Sequence, residues 1–468
     1  AFKYTSEANA GGKHGGVDTE WKYAQMVSAY HGVMDADALG LSGMANASFY
    51  QHYPLKERYP QNPEPDEASL KARGLIDTRG HVAPRVFVCF YMGDYDSAAW
   101  LNTHVPRWWR DPARGTIPCA WAFNPNLDAR APHVFDYVRT HQSSNDWFIF
   151  GDSGAGYLNP GMLAETNGWD AWVRHNRPYA ERYDLSITGF VIDGHSPGMG
   201  EAGLDAYMKF SPDGIAGQKI PAIGVHRGTM PYVRMATDLA GSPKDAGAGV
   251  AGLTGVNAPK FLFIRTILKS PSWHKAVMEE AQRLNNAVEF VDPYTFFLLL
   301  KRHVLAGSTG GAAVPLSEAH FVPPGDRAGL APIAVADGPF QYAEQDGHDV
   351  ILQEPHDTTR YVYFEVDDRF CAGLAATEGA VTVSAELFDA APGHLGIHYD
   401  AREGGPYRPG PVVELPGTRT WRTVTFDLPG ARFSHGENGG ADFRFVNFGT
   451  GLYLVSVPLS IKHCKTKA

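Results

Sequence analysis

Between residues 45 and 304, short apolar runs alternate with longer amphipathic segments, and this alternation restricts the fold more than any other feature of the chain. Nearly continuous apolarity is typical of strands buried on both faces of a parallel sheet. The predicted strands are Ala45–Tyr50, Val86–Met92, Ile117–Phe123, Trp147–Gly151, Ile187–Ile192, Ile220–Val225, Phe261–Ile267 and Ala287–Val291. Helical spacing marks the intervening segments Ala131–His141, Trp169–Arg182, Gly200–Phe210 and Pro271–Leu284. Eight strands over about 250 residues predict an α/β fold with a (β/α)8-like barrel, and a doubly wound open sheet is the alternative.

After this region the sequence changes from alternating apolar and amphipathic segments to short β-rich runs. A chain of 468 residues is long enough for two domains. We predict a barrel domain over residues 1–305, a Gly-, Ala- and Pro-rich linker over 306–339, and an antiparallel β-sandwich, galactose-binding-like, over 340–468. Turn residues divide the last region into the β-rich runs Tyr361–Val366, Val381–Phe388, Leu395–Tyr399, Trp421–Leu428, Asp442–Asn447 and Leu452–Ile461.

Composition excludes several function classes. The net charge of −10, without any run of basic residues, argues against a nucleic-acid partner. No apolar stretch approaches the roughly 20 residues that a membrane span needs. Four cysteines are too few for a disulfide framework, although Cys371 and Cys464 could pair. Aromatic residues make up 12% of the chain, which weakly favours a carbohydrate ligand.

Polar residues follow the predicted strands at their carboxyl ends, where parallel barrels carry their reactive groups. Asp94 and Asp96 follow the second strand, and two carboxylates so close repel each other unless a cation, a shared proton or a substrate relieves them. Asp292, directly before Pro293, is instead predicted to be a helix N-cap. The remaining strand-end candidates are Asn124, Asp152, Asp193, His195, His226, Arg227 and Tyr294, with Arg265 near the end of the seventh strand.

The run Gly154-Ala155-Gly156-Tyr157-Leu158-Asn159-Pro160 is similar to the motif that names the GxGYxYP putative glycoside hydrolases. The resemblance covers roughly residues 14–304, through Gly93–Asp96, Trp108-Trp109, Arg114-Gly115, Ile117-Pro118, Phe150–Pro160, Phe261–Ile267 and Val288–Asp292, and does not extend to the sandwich. Asn159 stands where the motif has its second tyrosine, and Tyr95 replaces a glycine, so substrate contacts are expected to differ. A phosphate-binding loop is a poor alternative because no Lys-Ser/Thr pair follows the glycines. We expect the glycines to allow a tight turn that points Tyr157 into the barrel mouth.

The resemblance implies hydrolysis of a glycosidic bond, which needs one carboxylic acid and a second carboxylate. We predict Asp193 as one partner and Asp94 or Asp96 as the other, with Asp152 as a further candidate and Glu20 and Glu201 as outside candidates from loops. Expected substrate contacts are Tyr157, His195, His226, Arg227, Trp100, Tyr294 and Asn124, with Trp108 a further stacking candidate and Trp121 assigned to the core.

Two other functions stay open: a polysaccharide lyase acting on uronic acids, and a non-catalytic carbohydrate-binding protein. A zinc deacetylase is disfavoured, because the His-x-x-x-His spacing occurs only at His394 and His398, in a predicted sandwich strand. No cofactor is expected, although a Ca²⁺ ion at the Asp94–Asp96 pair is an open alternative. No signal peptide is visible, so a secreted or periplasmic location is inferred from the function alone.

Overall fold

The computed structural model describes residues 19–35, 46–194, 196–307, 315–335, 337–377 and 380–462. The chain divides into two compact units. Unit 1 comprises Ala1–Pro243, Phe261–Ala276 and Glu289–Gly310, and unit 2 comprises Lys244–Lys260, Val277–Val288 and Gly311–Ala468. No helix in the described ranges combines the length and apolarity that crossing a membrane requires.

Helices and strands alternate in the first two thirds of the chain. The helices are α1 (Thr19–Ala29), α2 (Ala47–Tyr50), α3 (Glu67–Ala72), α4 (Ala98–Trp108), α5 (Pro132–Thr140), α6 (Trp169–Tyr183), α7 (Gly200–Tyr207), α8 (Pro243–Thr254), α9 (Pro271–Leu284), α10 (Pro293–Gly307) and, later in the chain, α11 (Asp368–Thr377). The first strands are β1 (Val86–Tyr95), β2 (Cys119–Phe123), β3 (Asp146–Asp152), β4 (Ile187–Val191), β5 (Gly214–Gly217), β6 (Ile223–His226), β7 (Met230–Arg234), β8 (Asp238–Leu239), β9 (Lys260–Ile267) and β10 (Val288–Phe290).

These strands form one curled, mainly parallel sheet of the half-barrel type. Its order is β6-β7-β5-β4-β3-β2-β1-β9-β8, and β10 also pairs with β1. The five strands from β1 to β5 are paired in parallel, as are β5 with β7 and β8 with β9. Met235 N donates to Gly217 O next to β5, and Ala236 N donates to Phe263 O in β9. Residues 230–239 therefore supply both β7, near one end of this strand order, and β8, at its other end.

The regular eight-stranded alternation that the sequence predicts is not reproduced. The first predicted strand, Ala45–Tyr50, instead carries the short helix α2, whose residues are exposed or half-buried and therefore lack the two-sided burial of a strand in this sheet. In place of the predicted strand Ile220–Val225, β6 and β7 form an antiparallel hairpin around a turn at Arg227 and Gly228, which both have positive φ. The glycine-rich strand β5 was missed because its apolar run is broken.

Strands β1 to β4 are buried along nearly their whole length, which explains their continuous apolarity. Aromatic and aliphatic side chains from these strands and from α10 form one core cluster, which includes Phe87, Tyr91, Ile149, Phe190 and Phe296. Since parallel strands end at the same edge, Asp94 at the end of β1 and Asp152 at the end of β3 are brought to one side of the sheet.

Unit 2 contains two antiparallel sheets. Its strands are β11 (Glu318–Phe321), β12 (Leu330–Ile333), β13 (Gln341–Gln345), β14 (His348–Gln353), β15 (Arg360–Val366), β16 (Ala380–Phe388), β17 (Pro392–Ala401), β18 (Gly405–Pro416), β19 (Trp421–Leu428), β20 (Phe443–Asn447) and β21 (Leu452–Lys462). One sheet has the order β13-β14-β21-β16-β19 with β11 beside β21, and the other has the order β12-β15-β20-β17-β18. Both sheets contribute to one apolar core, through Val383 and Phe364 among others, as a β-sandwich requires.

The predicted linker 306–339 differs from the structure, because it contains the end of α10 and the strands β11 and β12. Pro332 lies in β12, an edge strand that pairs on one side only, where a missing backbone N–H is tolerated. The proline content that indicates a linker is therefore also compatible with an edge strand.

Candidate active site

A cleft of about 230 Å³ opens in unit 1 at the carboxyl edge of the parallel sheet. Three carboxylates of the strand ends, Asp94, Asp96 and Asp152, line it together with Arg265. The remaining lining residues are Glu20, Trp21, Tyr157, Asn159, Phe190, Ile192, Gly194 and Gln218. Of the predicted site residues Asp94, Asp152, Asp193, Tyr157 and His226, which we expected to converge on one cleft, the first two and Tyr157 line it, whereas Asp193 and His226 do not.

Asp152 is the most deeply buried carboxylate of this cleft, with 1% of its surface exposed. Its Oδ1 accepts a hydrogen bond of 3.0 Å from Tyr91 Oη, and its backbone N donates to Asn124 Oδ1 at 2.8 Å. Its Oδ2 has no hydrogen-bond partner among the described residues. Burial, and then the negative charge of Asp94, raise the pKa of Asp152 to about 7, although Arg265 and the Tyr91 hydrogen bond oppose the shift. This carboxyl can therefore hold a proton near neutral pH.

Two glycines make room for the Tyr91 ring that positions Asp152. A Cβ on Gly93 would lie 1.8 Å from Tyr91 Cε1, and a Cβ on Gly189 would lie 2.5 Å from Tyr91 Cδ2. Neither position can carry a side chain without displacing the ring. The two glycines thereby leave room for the Tyr91 ring in the position from which its hydroxyl reaches Asp152.

Asp94 is held by an arginine from the neighbouring strand. Arg265 Nη2 donates to Asp94 Oδ1 at 2.6 Å, and its Nη1 donates to Asp238 Oδ2 at 2.9 Å. Asp94 has a φ of 68°, at an irregularity in the β1–β2 register, and such bulges often re-aim side chains near active sites. Burial opposes the charge of Arg265, but the carboxylates of Asp94, Asp152 and Asp238 outweigh it and raise its pKa. Arg265 therefore stays cationic and stabilises the ionised form of Asp94.

The glycine-rich motif forms the loop after β3, and its turn presents Tyr157 to the cleft, as predicted. Gly154 and Gly156 have φ values of 136° and 123°, which residues with a Cβ rarely adopt. Ala155 N between them donates to Asn176 Oδ1 in α6 at 2.7 Å. Burial, followed by the charges of Glu20 and Asp152, raises the pKa of Tyr157 well above its usual range, so its hydroxyl stays protonated and hydrogen-bonds to Glu20.

Asn159, which replaces the second tyrosine of the motif, also lines the cleft. Its Nδ2 donates to Ile192 O at 3.1 Å, whereas its Oδ1 is buried and has no hydrogen-bond partner in the described part of the chain. Asn124 Nδ2 is likewise buried and has no hydrogen-bond partner among the described residues. Asn124 itself does not line the cleft but supports Asp152 from behind. Asp152 and Asn159 both line the cleft, so a polar ligand bound there would give a partner to the buried oxygen that each of them leaves without one.

Asp193 lies beside the cleft without lining it. Its Oδ1 accepts hydrogen bonds from the backbone N of Gln218 and Lys219, at 3.1 and 3.0 Å. Burial raises the pKa of Asp193 against those two hydrogen bonds. Gln218 in turn accepts from Gly194 N at 2.8 Å and lines the cleft. Asp193 thus fixes the loop that carries Gln218.

Two predicted contact residues lie in a different cluster. His226 Nε2 and Arg227 Nε both contact Asp205 Oδ1, at 2.7 and 2.6 Å, and His226 Nδ1 is 3.5 Å from Glu201 Oε2. None of these four residues lines the cleft, because β6 leads into a hairpin turn and not into the strand-end loop that the sequence suggests.

The remaining candidates have structural surroundings. Trp100 contacts His104 within α4, and Trp108 contacts the same histidine ring. Tyr294 packs on Trp147 and accepts a hydrogen bond from Ser186 next to the amino end of β4, away from the strand ends that form the cleft. Two structural predictions are confirmed: Trp121 is fully buried, and Asp292 accepts from Thr295 N at 2.8 Å as the N-cap of α10.

Tyr95, expected to alter substrate contacts, packs against Trp121 and Phe123 in the core instead. His195 lies outside the described residues. Sequence reasoning missed Tyr91 as a supporting residue and left Arg265 without a role. The available signal was chemical, since a polar or charged side chain inside an apolar strand needs a buried partner. In the described ranges, no group of three or more His, Cys, Asp or Glu residues is placed to hold a metal ion.

Comparisons with known proteins give a match to the segment that carries most of the residues lining this cleft. Residues 84–301 match the family described as GxGYxYP putative glycoside hydrolase C-terminal domain. No curated protein matches the chain. A solved structure of a putative hydrolase from Bacteroides thetaiotaomicron VPI-5482 is 19% identical, with a TM-score of 0.47, over 61% of this chain and 55% of that one. This chain therefore spans about half the length of that relative.

Two carbohydrate-binding modules also align with about a third of the chain. They are a family 29 module from Piromyces equi, 10% identical over 33% of this chain and 97% of the module, and CsCBM6-3 from Clostridium stercorarium in complex with cellobiose, 10% identical over 33% and 100%. The TM-score is 0.20 in each case.

Proposed function

Residues 84–301 of this chain belong to the GxGYxYP family of putative glycoside hydrolases, and from this premise we propose that the cleft hydrolyses a glycosidic bond in an oligo- or polysaccharide. The observation that carries the proposal is the contrast between two neighbouring carboxyl groups. Asp152 has a pKa raised to about 7, whereas Asp94 is paired with Arg265 at 2.6 Å. Glycoside hydrolases depend on such a pair, one group protonated and the other ionised.

Asp152 acts as the proton donor in this proposal. Its Oδ1 is held by Tyr91, while its Oδ2 has no partner among the described residues and is available to the glycosidic oxygen. Protonation of that oxygen lets the bond between the oxygen and the anomeric carbon break with the electron pair leaving on oxygen.

Asp94 is the ionised partner, which stabilises the positive charge that develops on the sugar ring. A water molecule then adds to the anomeric carbon and gives its proton to one of the two carboxylates, which completes the hydrolysis. Arg265 keeps it ionised and, through Asp238, fixed in place. Asp96 lines the same cleft two residues further along the chain and is the second candidate for this role. Asp193 is assigned the positioning of Gln218, because both backbone N–H groups that it binds belong to the loop of that residue.

Aromatic and amide groups of the cleft supply the sugar contacts. Trp21 is 36% exposed and lines the cleft with Tyr157 and Phe190, which gives apolar faces for the C–H side of a sugar ring. Gln218 and Asn159 add amide groups that can bind hydroxyls. A polymer substrate implies that the enzyme works outside the cytoplasm, in the periplasm or as a secreted protein.

The test is product analysis with a panel of polysaccharides, in which new reducing ends are measured for wild type and for Asp152→Asn. We expect wild-type hydrolysis of at least one glycan and a loss of about 10²- to 10⁴-fold in the variant. A product with an unsaturated ring would identify a lyase instead. Binding without any bond cleavage would identify a non-catalytic carbohydrate-binding protein.

A further inference from the structure

The outer face of one sheet of unit 2 carries a group of polar and aromatic side chains that the cleft does not use. We call it the Arg444 platform, and it consists of Tyr361, Tyr363, His398, Tyr407 and Arg444. Tyr363, Arg444 and His398 lie opposite one another on the neighbouring strands β15, β20 and β17. Their neighbours Val362, Phe364, Phe443, Phe445 and Ile397 point to the other side and belong to the core. The platform is therefore on the face away from that core.

Arg444 is fixed at the centre of this platform. Its guanidinium carbon is 3.6 Å from the ring centroid of Tyr361 and 4.4 Å from that of Tyr407. Its Nη1 donates to Tyr363 Oη at 2.6 Å, and its Nη2 donates to His398 Nδ1 at 3.0 Å. No carboxylate of the described residues forms an ion pair with it, although other arginines of unit 2, such as Arg369 and Arg432, have one. The platform thus holds a rigid donor group whose charge is not neutralised by an ion pair.

An apolar patch around Gly396 adjoins the platform on the same face. Gly396 lies two residues before His398 on β17 and opposite Val446 and Val412. A Cβ at this position would meet Phe448, Val412 and Val446 at 3.3 to 3.5 Å, so these three apolar side chains close together over the glycine. Phe448 and Val412 are 49% and 56% exposed. Exposed apolar groups next to fixed polar ones are typical of a ligand site.

A second, independent feature points to a ligand. Glu437 is 5% exposed, and its Oε1 accepts from Tyr407 N at 3.3 Å. Its Oε2 is buried and has no hydrogen-bond partner among the residues that the structure describes. Burial raises the pKa of Glu437 to about 8, with the charge of Arg444 opposing the shift, so near neutral pH this carboxyl is mostly a proton donor. A buried donor that lacks an acceptor is costly unless a bound group supplies one.

We propose that the Arg444 platform and the apolar patch around Gly396 form a carbohydrate-binding site on unit 2 that takes a segment of a polysaccharide chain. Sugars present an apolar C–H face and a rim of hydroxyls that both donate and accept. Tyr361, Phe448 and Val412 provide apolar contact for that face, and Arg444, His398 and Glu437 provide donors and acceptors for the hydroxyls. The choice of a glycan as ligand rests on the proposed function, because a hydrolase of polymers gains local substrate concentration from a second binding site.

The experiment is affinity gel electrophoresis of the full chain in gels that contain xylan, mannan, β-glucan or polygalacturonate. The Asp152→Asn background prevents degradation of the polymer, so binding is read without hydrolysis. We expect retardation by at least one polymer, and a loss of about tenfold or more in affinity for Tyr361→Ala and for Arg444→Gln. The exposed residue Val412 supplies a third variant, Val412→Asp, which acts on the same face without disturbing the core.

Trp421→Ala is the matched control, because Trp421 is a half-buried aromatic on the other sheet, where it contacts Phe388 and His348. It should leave the affinity unchanged, and circular dichroism checks the fold of every variant. Absence of retardation with all polymers, or retardation that all three platform variants retain, would overturn the inference. If the protein hydrolyses no glycan, the electrophoretic result still tests the binding site on its own. If wild type hydrolyses a glycan but the platform variants bind as tightly as their parent, the binding site is wrong and the proposed hydrolysis stands.

Discussion

The Tyr91 hydroxyl donates a hydrogen bond of 3.0 Å to Asp152 Oδ1, from one buried strand to the end of a strand two positions away in the sheet. Hydrogen bonding to the charged form favours ionisation, so this contact opposes the burial and the Asp94 charge that raise the pKa of Asp152. The balance sets a pKa of about 7, in the range that suits a proton donor at neutral pH.

Replacing Tyr91 by phenylalanine should move the pH dependence of activity. Without the hydrogen bond, the pKa of Asp152 rises, and the proton donor stays protonated to higher pH. We expect the alkaline limb of kcat/KM to lie near pH 7 in wild type and to shift upward in Tyr91→Phe. Tyr95→Phe is the matched control, because Tyr95 is equally buried in β1 but packs on Trp121 and Phe123. An unchanged limb in Tyr91→Phe would contradict the role of this hydrogen bond.

The raised pKa of Asp152 should also make the free energy of unfolding depend on pH, which can be measured without any substrate. Because the pKa of Asp152 is about 7 in the folded state and 3.8 in the reference state, folding favours the protonated form. That contribution is fully present below about pH 4 and is lost as the pH rises through 7. Relative to Asp152→Asn, the free energy of unfolding of wild type should fall over this window by at most about 1.4 kcal/mol per pH unit. Urea unfolding at several pH values measures this difference, and parallel curves for the two proteins would refute the assignment.

Removing Arg265 should damage both stability and activity. Arg265→Gln leaves Asp94 and Asp238 without their cation, and breaking such a partly buried ion pair costs on the order of 3 kcal/mol in the free energy of unfolding. The double variant Arg265→Gln/Asp94→Asn should lose less than the sum of the single variants, because the uncompensated charge is gone. Arg283→Gln, which breaks a helical pair between the exposed Arg283 and the partly buried Glu280, should cost less, about 1 kcal/mol or below. Strict additivity in the Arg265–Asp94 cycle would contradict the coupling.

Gly93→Ala tests the slot that holds the Tyr91 ring. The new Cβ would lie 1.8 Å from Tyr91 Cε1, so the ring must move and its hydroxyl must leave Asp152. We expect a loss of activity together with a lower unfolding temperature. Gly198→Ala is the control, since its Cβ would meet no atom within 4 Å. A Gly93→Ala protein with wild-type activity and pH profile would show that the ring position is not required.

The sequence predicts the strands of unit 1 best where the apolar run is continuous. Val86–Met92 and Phe261–Ile267 lie within β1 and β9, because a strand covered on both faces needs apolar side chains at every position. The same reasoning fails at Ile220–Val225, where positive φ at Arg227 and Gly228 turns the chain into a hairpin. Pairing direction depends on that turn, which the apolar pattern does not encode.

The residues of the candidate site also divide into those that the sequence predicts and those that it does not. Asp94, Asp96 and Asp152 were predictable because they lie at or just after the carboxyl ends of strands, and parallel strands end at one edge. Tyr91 and Arg265 were not, because they lie within strands and reach the edge only through long side chains that cross between neighbours. His226 and Tyr294 were predicted from strand ends that the fold places elsewhere.

The most direct test of the central claim is the rate at which Asp152→Asn and Asp193→Asn release reducing ends from the first glycan that wild type hydrolyses. Asp152 is the proposed proton donor, whereas Asp193 holds the Gln218 loop from outside the cleft. We expect a loss of about 10²- to 10⁴-fold in kcat for Asp152→Asn, with substrate binding retained, and a clearly smaller loss for Asp193→Asn. Near-native turnover by Asp152→Asn, with the larger loss in Asp193→Asn, would contradict this claim.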